Sequence, residues 1–154
     1  MMSVIEARLK EKGILLPEAP TPMGAYIPAM RVGCMVFISG QLPREGDRLT
    51  CIGKVDKDVS VAEARLAARL CCLNAISVLK AELGDLDRVK RIVRLKGHVA
   101  SVPEFTNQPE VVNGASGLLL EVFGDRGRHT RMATAVPVLP SDATVAVELI
   151  VEVD

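Results

Sequence analysis

Aromatic side chains are scarce in this sequence: 154 residues include no tryptophan, one tyrosine and three phenylalanines, or 3% in all. Stacking platforms for single-stranded nucleic acid are therefore nearly absent. Charge is not in excess either. Lys+Arg and Asp+Glu are both 19, so no global field draws the chain to nucleic acid or to an anionic membrane, and any RNA contact requires a local patch. Nucleic acid accordingly ranks low among expected partners. Cys34, Cys51, Cys71 and Cys72 have no CxxC spacing, and only His98 and His129 accompany them. Neither a metal centre nor a disulfide framework is expected, and free thiols point to a reducing compartment. No apolar run reaches membrane-spanning length, and the first twelve residues carry acids where a secretion signal would be apolar. The expectation is a soluble cytoplasmic protein without a membrane partner or metal. A glycine-rich phosphate loop and long internal repeats are also missing.

What is present is a 49% hydrophobic chain, enough for one domain over residues 1–154 with a proper core. Residues 4–12 suit a short amphipathic helix that Gly13 ends, within an N-terminal extension over 1–16, and the proline-rich stretch 16–22 reads as an extended lead-in. Ala25 to Arg31 and Cys34 to Gln41 read as strands. The second contains the apolar run Met35-Val-Phe-Ile38 and stops at Ser39-Gly40-Gln41, where small and polar residues either let a ligand approach the backbone or simply begin a loop. Residues 44–59 are expected to be mostly loop. Ser60-Val-Ala-Glu63 is a capping box, after which small residues recur at helical spacing until Gly84. A second helix is expected to start at Ser101-Val-Pro-Glu104 and end near Gly124, with Val111, Ala115, Leu118, Leu119 and Val122 as its apolar stripe. Between the helices, Lys90, Arg94, Lys96 and His98 would share one face of a strand. That row reads as a solvated face or, less readily, as a phosphate patch.

The last thirty residues hold two strands and a turn. Val145, Val147, Leu149, Val151 and Val153 alternate with Ala146, Glu148, Ile150 and Glu152, a clear one-sided pattern. In the preceding strand Arg131 shares its face with Ala133, Ala135 and Pro137. Two readings of Arg131 stand: a strand-end arginine that reaches solvent or pairs with an acid, and a receptor for a ligand carboxylate. Pro137, lacking an N–H, favours placing this strand at an edge. The order of elements implies an α+β fold with two helices on one face of a sheet, whose other face must be buried by something else. Oligomerisation is the simplest covering.

Pro20-Thr-Pro-Met-Gly-Ala-Tyr26, Phe37-Ile-Ser-Gly-Gln41, Arg131, Leu139-Pro140 and Val145-Ala-Val-Glu-Leu-Ile150 follow one another in an order that resembles the Rid, or YjgF-like, family, also called liver perchloric-acid-soluble-protein endoribonucleases. The resemblance runs from about Pro17 to Val153. It implies a chorismate-mutase-like mixed sheet, a homotrimer, and ligand sites in the clefts between subunits. It also implies hydrolysis of small 2-imino and 2-enamino carboxylates to 2-oxo acids and ammonia, with no cofactor. By the same resemblance Arg131 holds the substrate carboxylate, and Tyr26, Ser39 and Gly40 line the site. Two departures mark a divergent subgroup: Ala133 stands where many active members carry a cysteine, and Ala146 where they carry a water-positioning glutamate. There is extra length around residues 107–115. Glu148, on the same strand face as Ala146, is a substitute catalytic acid or an ordinary exposed one. Three functions are thus in play: imine hydrolysis, non-catalytic binding of a small carboxylate, and the ribonuclease activity of the family label, for which His98 and His129 would have to meet.

Overall fold

The computed structural model describes residues 3–154; residues 1 and 2 of the expected extension lie outside them. Helix α1 spans Val4–Glu11 and is followed by strands β1 (Ala29–Val32), β2 (Met35–Gln41), β3 (Arg44–Glu45) and β4 (Arg48–Leu49). The long helix α2 (Val61–Leu83), strand β5 (Val89–Ala100), helix α3 (Gln108–Phe123), and strands β6 (Thr130–Val136) and β7 (Val145–Val153) complete the chain. β3 and β4 form a small hairpin; the other strands make one mixed sheet in the order β1-β2-β7-β5-β6. β6 runs parallel to β5, and the remaining neighbours are antiparallel. The two C-terminal strands are therefore not partners, because β5 lies between them. β6 is an edge strand, as expected, and Pro137 lies just beyond its last residue.

Alternation in β7 decides which side of the sheet is core. Val145, Val147, Leu149, Val151 and Val153 are all buried, each such side chain contributing roughly 1.5–3 kcal/mol. Val36 and Ile38 from β2, and Ile92, Leu95 and Val99 from β5, join them under α2 and α3. Small residues let these layers approach closely. A Cβ on Gly97 would meet Val112 of α3 at 2.7 Å, and one on Gly114 would meet the Arg65 carbonyl oxygen of α2 at 2.0 Å. The α2 face of Ala64, Ala67, Ala68, Cys71 and Ala75 is buried. Ser60 caps this helix by accepting the Glu63 N–H, and Gly84, at φ 78°, ends it. No helix among the described residues is long and apolar enough to cross a membrane.

Three local expectations need correction. β1 begins at Ala29 rather than Ala25, since Pro28 lacks the N–H a strand would donate. α3 begins at Gln108, with Pro109 in its first turn, instead of at Ser101. The Ser101 hydroxyl is taken by Gln108 Nε2 at 3.3 Å, while its backbone bridges to Val55. In β5, register shifts between Val89 and Arg91 and between Ile92 and Arg94 leave Lys90 out of the basic row and put Arg91 opposite Glu152.

The N-terminal segment is packed into the fold. Ile5 and Leu9 of α1 are buried, Arg8 donates to the Val122 carbonyl at 3.0 Å, and Glu6 pairs with Lys80 at 2.6 Å. Asp87 caps α1 from a distance in sequence, accepting the Val4 and Ile5 N–H groups at 2.8 and 2.9 Å. Partial desolvation pushes the Asp87 carboxyl up, but the amides of Ile5 and Val4, with Arg126 and Ser3 beside it, outweigh this and hold it below the ordinary carboxylate range. A depressed folded pKa gives stability that is complete above the unfolded value and lost as pH falls through the folded one. Asp87→Ala should therefore cost about 1 kcal/mol at pH 7, typical of a helix cap. Urea midpoints of variant and wild type should converge progressively below about pH 4. A gap independent of pH would contradict the capping role.

The thiols differ in setting. Cys34 is exposed in the β1–β2 turn, Cys51 is half-buried, and Cys71 and Cys72 are buried under the sheet. Burial pushes the Cys72 thiol up to about 12, with Arg69 acting weakly against it; burial also raises Cys71, which lies beside Cys72 and Cys51. Native alkylation followed by mass mapping should modify Cys34 first and spare Cys71 and Cys72 until the chain is unfolded. Native labelling of Cys72 as fast as Cys34 would show that α2 does not pack as described.

Candidate functional site

A one-residue irregularity shapes the end of β2. Ile38 opposes Leu149, yet Gln41 opposes Val147, so the Ser39-Gly40 segment holds one residue more than its partner. Such a bulge re-aims side chains. Ser39 donates its hydroxyl to the Ile27 carbonyl at 2.8 Å and its N–H to Pro28 at 2.9 Å, fastening the proline-rich lead-in to the sheet. This holds Tyr26, which is 49% exposed and whose hydroxyl accepts the Met23 N–H at 3.3 Å.

Two cavities meet at Tyr26. One, of about 530 Å³, lies on the open face of the sheet and is lined by Tyr26, Phe37, Ser39, Arg94, Lys96 and Glu148 among others. Glu148 faces Lys96 there, 3.8 Å apart and only partly shielded. The second, of about 380 Å³, is lined by the lead-in residues Pro20 to Met23 and by Tyr26, Gly40, Gln41, Arg44, Pro140 and Ala146. Space for a Cβ is open at Gly40, so its backbone is approachable. A tight turn brings Pro140 to the rim; within it Ser141 and Asp142 adopt φ of 57° and 61°, uncommon outside glycine, and Gly53 N–H holds the Asp142 carbonyl at 2.9 Å.

Arg131 lies elsewhere. Its register partner is Leu95, so it stands on the helix side of the sheet at the edge opposite β1. Nη1 donates to Asn113 Oδ1 at 2.5 Å and to Ser116 Oγ at 3.3 Å, both on α3. Ser116 also lies 2.9 Å from His129 Nε2, while His129 Nδ1 is 2.6 Å from the Gly127 carbonyl. Because a carbonyl only accepts, Nδ1 carries a proton, and in the neutral ring Nε2 accepts from Ser116. Arg131 is thus oriented by neutral groups, and no carboxylate among the described residues pairs with it.

Within one chain, then, Tyr26, Ser39, Gly40 and Glu148 are neighbours and Arg131 is not one of them. Four strand spacings separate the two edges, roughly 19 Å. His98 and His129 do not meet either. His98 bonds Thr134 at 3.0 Å on the open face, whereas His129 is on the helix side, five residues and roughly 16 Å back along β6. Sequence reasoning missed Asn113, Ser116 and Arg44. The first two sit on an ordinary polar stripe of α3, and Arg44 sits in a charged hairpin that reads as solvated loop.

Residues 6–153 match the family model described as "YjgF/chorismate_mutase-like, putative endoribonuclease". The chain belongs to the YjgF family. Protein TCP17 of Trypanosoma cruzi is 43% identical over 151 residues, covering 97% of this chain and 94% of that protein. Protein Atu1372 of Agrobacterium tumefaciens, described as of unknown function, shares 45% identity with a TM-score of 0.89 over 98% of this chain and 92% of its own. A Shewanella oneidensis MR-1 protein with the same endoribonuclease label shares 39% identity and a TM-score of 0.94, covering 98% and 100%. The mixed sheet and its helices are therefore a YjgF, chorismate-mutase-like fold. Against the family pattern noted from sequence, Ala133 is half-buried opposite Gly97, and Ala146 lines the smaller cavity without contributing a polar group.

Proposed function

We propose that this YjgF-family protein hydrolyses small reactive 2-imino and 2-enamino carboxylates to 2-oxo acids and ammonia, in clefts where copies of a cytoplasmic homotrimer meet. The observation that carries this reading is Arg131: a guanidinium held in place by Asn113 and Ser116, with no carboxylate among the described residues paired to it. Tyr26 lies in the lead-in to β1, the strand at the other edge, and its larger cavity reaches from there across the open face to β5. A head-to-tail ring of copies would join one edge to the other, and closure into a ring is what heterologous contacts of suitable rotation produce. The open face supports the same arrangement, since Met30, Val32, Phe37 and Met132 are each about half exposed there and call for a covering.

In such a cleft the substrate carboxylate meets the planar fork of Arg131, which fixes orientation as well as charge. Water adds to the imine carbon and forms a carbinolamine; the nitrogen takes a proton, the C–N bond breaks and ammonia leaves as the carbonyl forms. A bound imine turned toward one ordered water needs no metal, and proximity supplies much of the acceleration. Glu148 is the one carboxylate in the wall of the larger cavity, which Tyr26 and Ser39 also line, and it moves the proton in this scheme, although Lys96 competes for it.

A specific observation favours the second reading, a module that binds small carboxylates without turning them over: the smaller cavity is lined by no carboxylate, with Ala146 in its wall. The ribonuclease reading has less support, because His98 and His129 occupy opposite faces. Semicarbazide trapping of freshly generated 2-iminobutanoate separates the first two. A hydrolase lowers the trapped fraction; a binder leaves it unchanged. For the anchor itself, Arg131→Lys should weaken 2-oxobutanoate binding by about 1.5–3 kcal/mol in calorimetric titration, the usual worth of a hydrogen bond to a charged group. A folded lysine variant that binds as well as wild type would make Arg131 a structural residue.

A further inference from the structure

The smaller cavity has one charged side chain in its wall, Arg44, to which nothing above assigns a role. Its side chain is only 12% exposed, which is unusual for a residue on a two-strand hairpin, and its neutralisation is poor. Nη1 reaches the Thr21 carbonyl and Nη2 reaches Asp47 Oδ1, both at 3.4 Å, the long end of a hydrogen bond. Asp47 is fully exposed, so this ion pair is screened by water and salt and contributes little. The remaining wall offers no acid: it consists of the proline-rich lead-in, Tyr26, Gly40, Leu42, Pro140 and Ala146, while Gln41 spends its amide on the Ser39 carbonyl at 3.0 Å.

The backbone that carries Arg44 is held from below. Asn74, a buried polar residue of α2 at 1% exposure, gives its amide protons to the Leu42 and Arg44 carbonyls at 3.2 and 3.0 Å. Thr50 donates both its N–H and its hydroxyl to the Pro43 carbonyl, at 2.9 and 3.1 Å. A hairpin tied down at three consecutive carbonyls is preorganised, so a group bound at its arginine meets a guanidinium already in place. A desolvated cation without a matching anion is costly, and a ligand anion in the cavity would offset that cost.

We infer that the smaller cavity is an anion subsite with Arg44 as its receptor, and that the preferred ligand is a dicarboxylate: a 2-oxo or 2-imino acid bearing a second carboxylate on its side chain. The inference rests on the proposed function for the first carboxylate, which goes to Arg131 of a neighbouring copy. Arg44 takes the second. It is a specificity-determining residue in this scheme, and Ala146 completes the subsite by leaving the cation unopposed.

Calorimetric titration of the full chain with 2-oxobutanoate and 2-oxoglutarate tests this in wild type, Arg44→Gln, Arg44→Lys and Arg131→Lys, with circular dichroism as the check on folding. Wild type should bind 2-oxoglutarate about tenfold more tightly than 2-oxobutanoate, and Arg44→Gln should abolish that preference. If the glutamine variant does not fold, Arg44→Lys decides, since it keeps the charge but loses the fork; its preference should fall severalfold. A wild type without preference, or a variant that weakens both ligands equally, overturns the subsite and makes Arg44 a brace for the lead-in. Those outcomes leave the Arg131 reading standing. A dicarboxylate preference that depends on Arg44 but ignores Arg131→Lys has the opposite meaning: the subsite holds and the Arg131 anchor fails. Binding of neither acid by wild type sinks both.

Discussion

β7 lies in the middle of the sheet, and its strict alternation constrains everything packed around it. A shift of one residue in its register would exchange five buried aliphatic side chains for Ala146, Glu148, Ile150 and Glu152. Both neighbours, β2 and β5, are aligned by this requirement, which puts Val36, Ile38, Leu95 and Val99 under the helices and Phe37, Lys96 and His98 on the other side. The bulges in β2 and β5 are the places where a neighbour does not keep step. One of them, at Ser39-Gly40, opens the ground between the two cavities; the others take Lys90 out of the basic row.

The same constraint leaves a sheet with one face satisfied and one exposed; Arg131 pairs with no carboxylate among the described residues, and Arg44 has only a long contact to the exposed Asp47. Arg131 is oriented by a relay through Ser116 and His129 to the Gly127 carbonyl, so its position depends on α3 and the turn that follows it. Gly127 can approach α3 this closely because it has no Cβ, which would meet the Leu119 carbonyl oxygen at 2.2 Å. Arg44 is fixed just as indirectly, by Asn74 in the middle of α2. In both cases a helix that covers the core also helps to fix an arginine, α3 through the Arg131 side chain and α2 through the Arg44 backbone, which links the packing of the fold to the chemistry proposed for its clefts.

Much of this fold was legible from sequence because the relevant signals are local and periodic. The period-two pattern of 145–153, the capping box at Ser60 and the stop at Gly84 each depend on residues a few positions apart, and each is found where expected. Residues 101–104 mimic a helix start but give no hint that Gln108 claims the Ser101 hydroxyl, and α3 begins only at Gln108. A strand bulge depends on the partner strand as well as on its own residues, so Gly40 alone reads equally as the start of a loop. The site was legible as a set of residue types, through Tyr26, Ser39, Gly40 and Arg131, but not as an arrangement. Nothing in the spacing of those residues states that the arginine belongs to the far edge of the sheet, and a charged hairpin such as 44–49 gives no sign that Asn74 will hold the backbone of its first residue.

The central claim is that one ligand cleft takes Tyr26 from one copy and Arg131 from another. Subunit complementation addresses it directly. Arg131→Lys and Tyr26→Ala variants, each folded and each weak in binding 2-oxobutanoate, are mixed in equal amounts, unfolded in urea, refolded together and titrated. In a shared cleft, random assortment reunites the two native residues in about a quarter of the sites, so about a quarter of wild-type binding capacity should return at wild-type affinity. If mixing restores nothing while the refolded chains assemble together, both residues serve the same chain's site and the shared-cleft account is wrong.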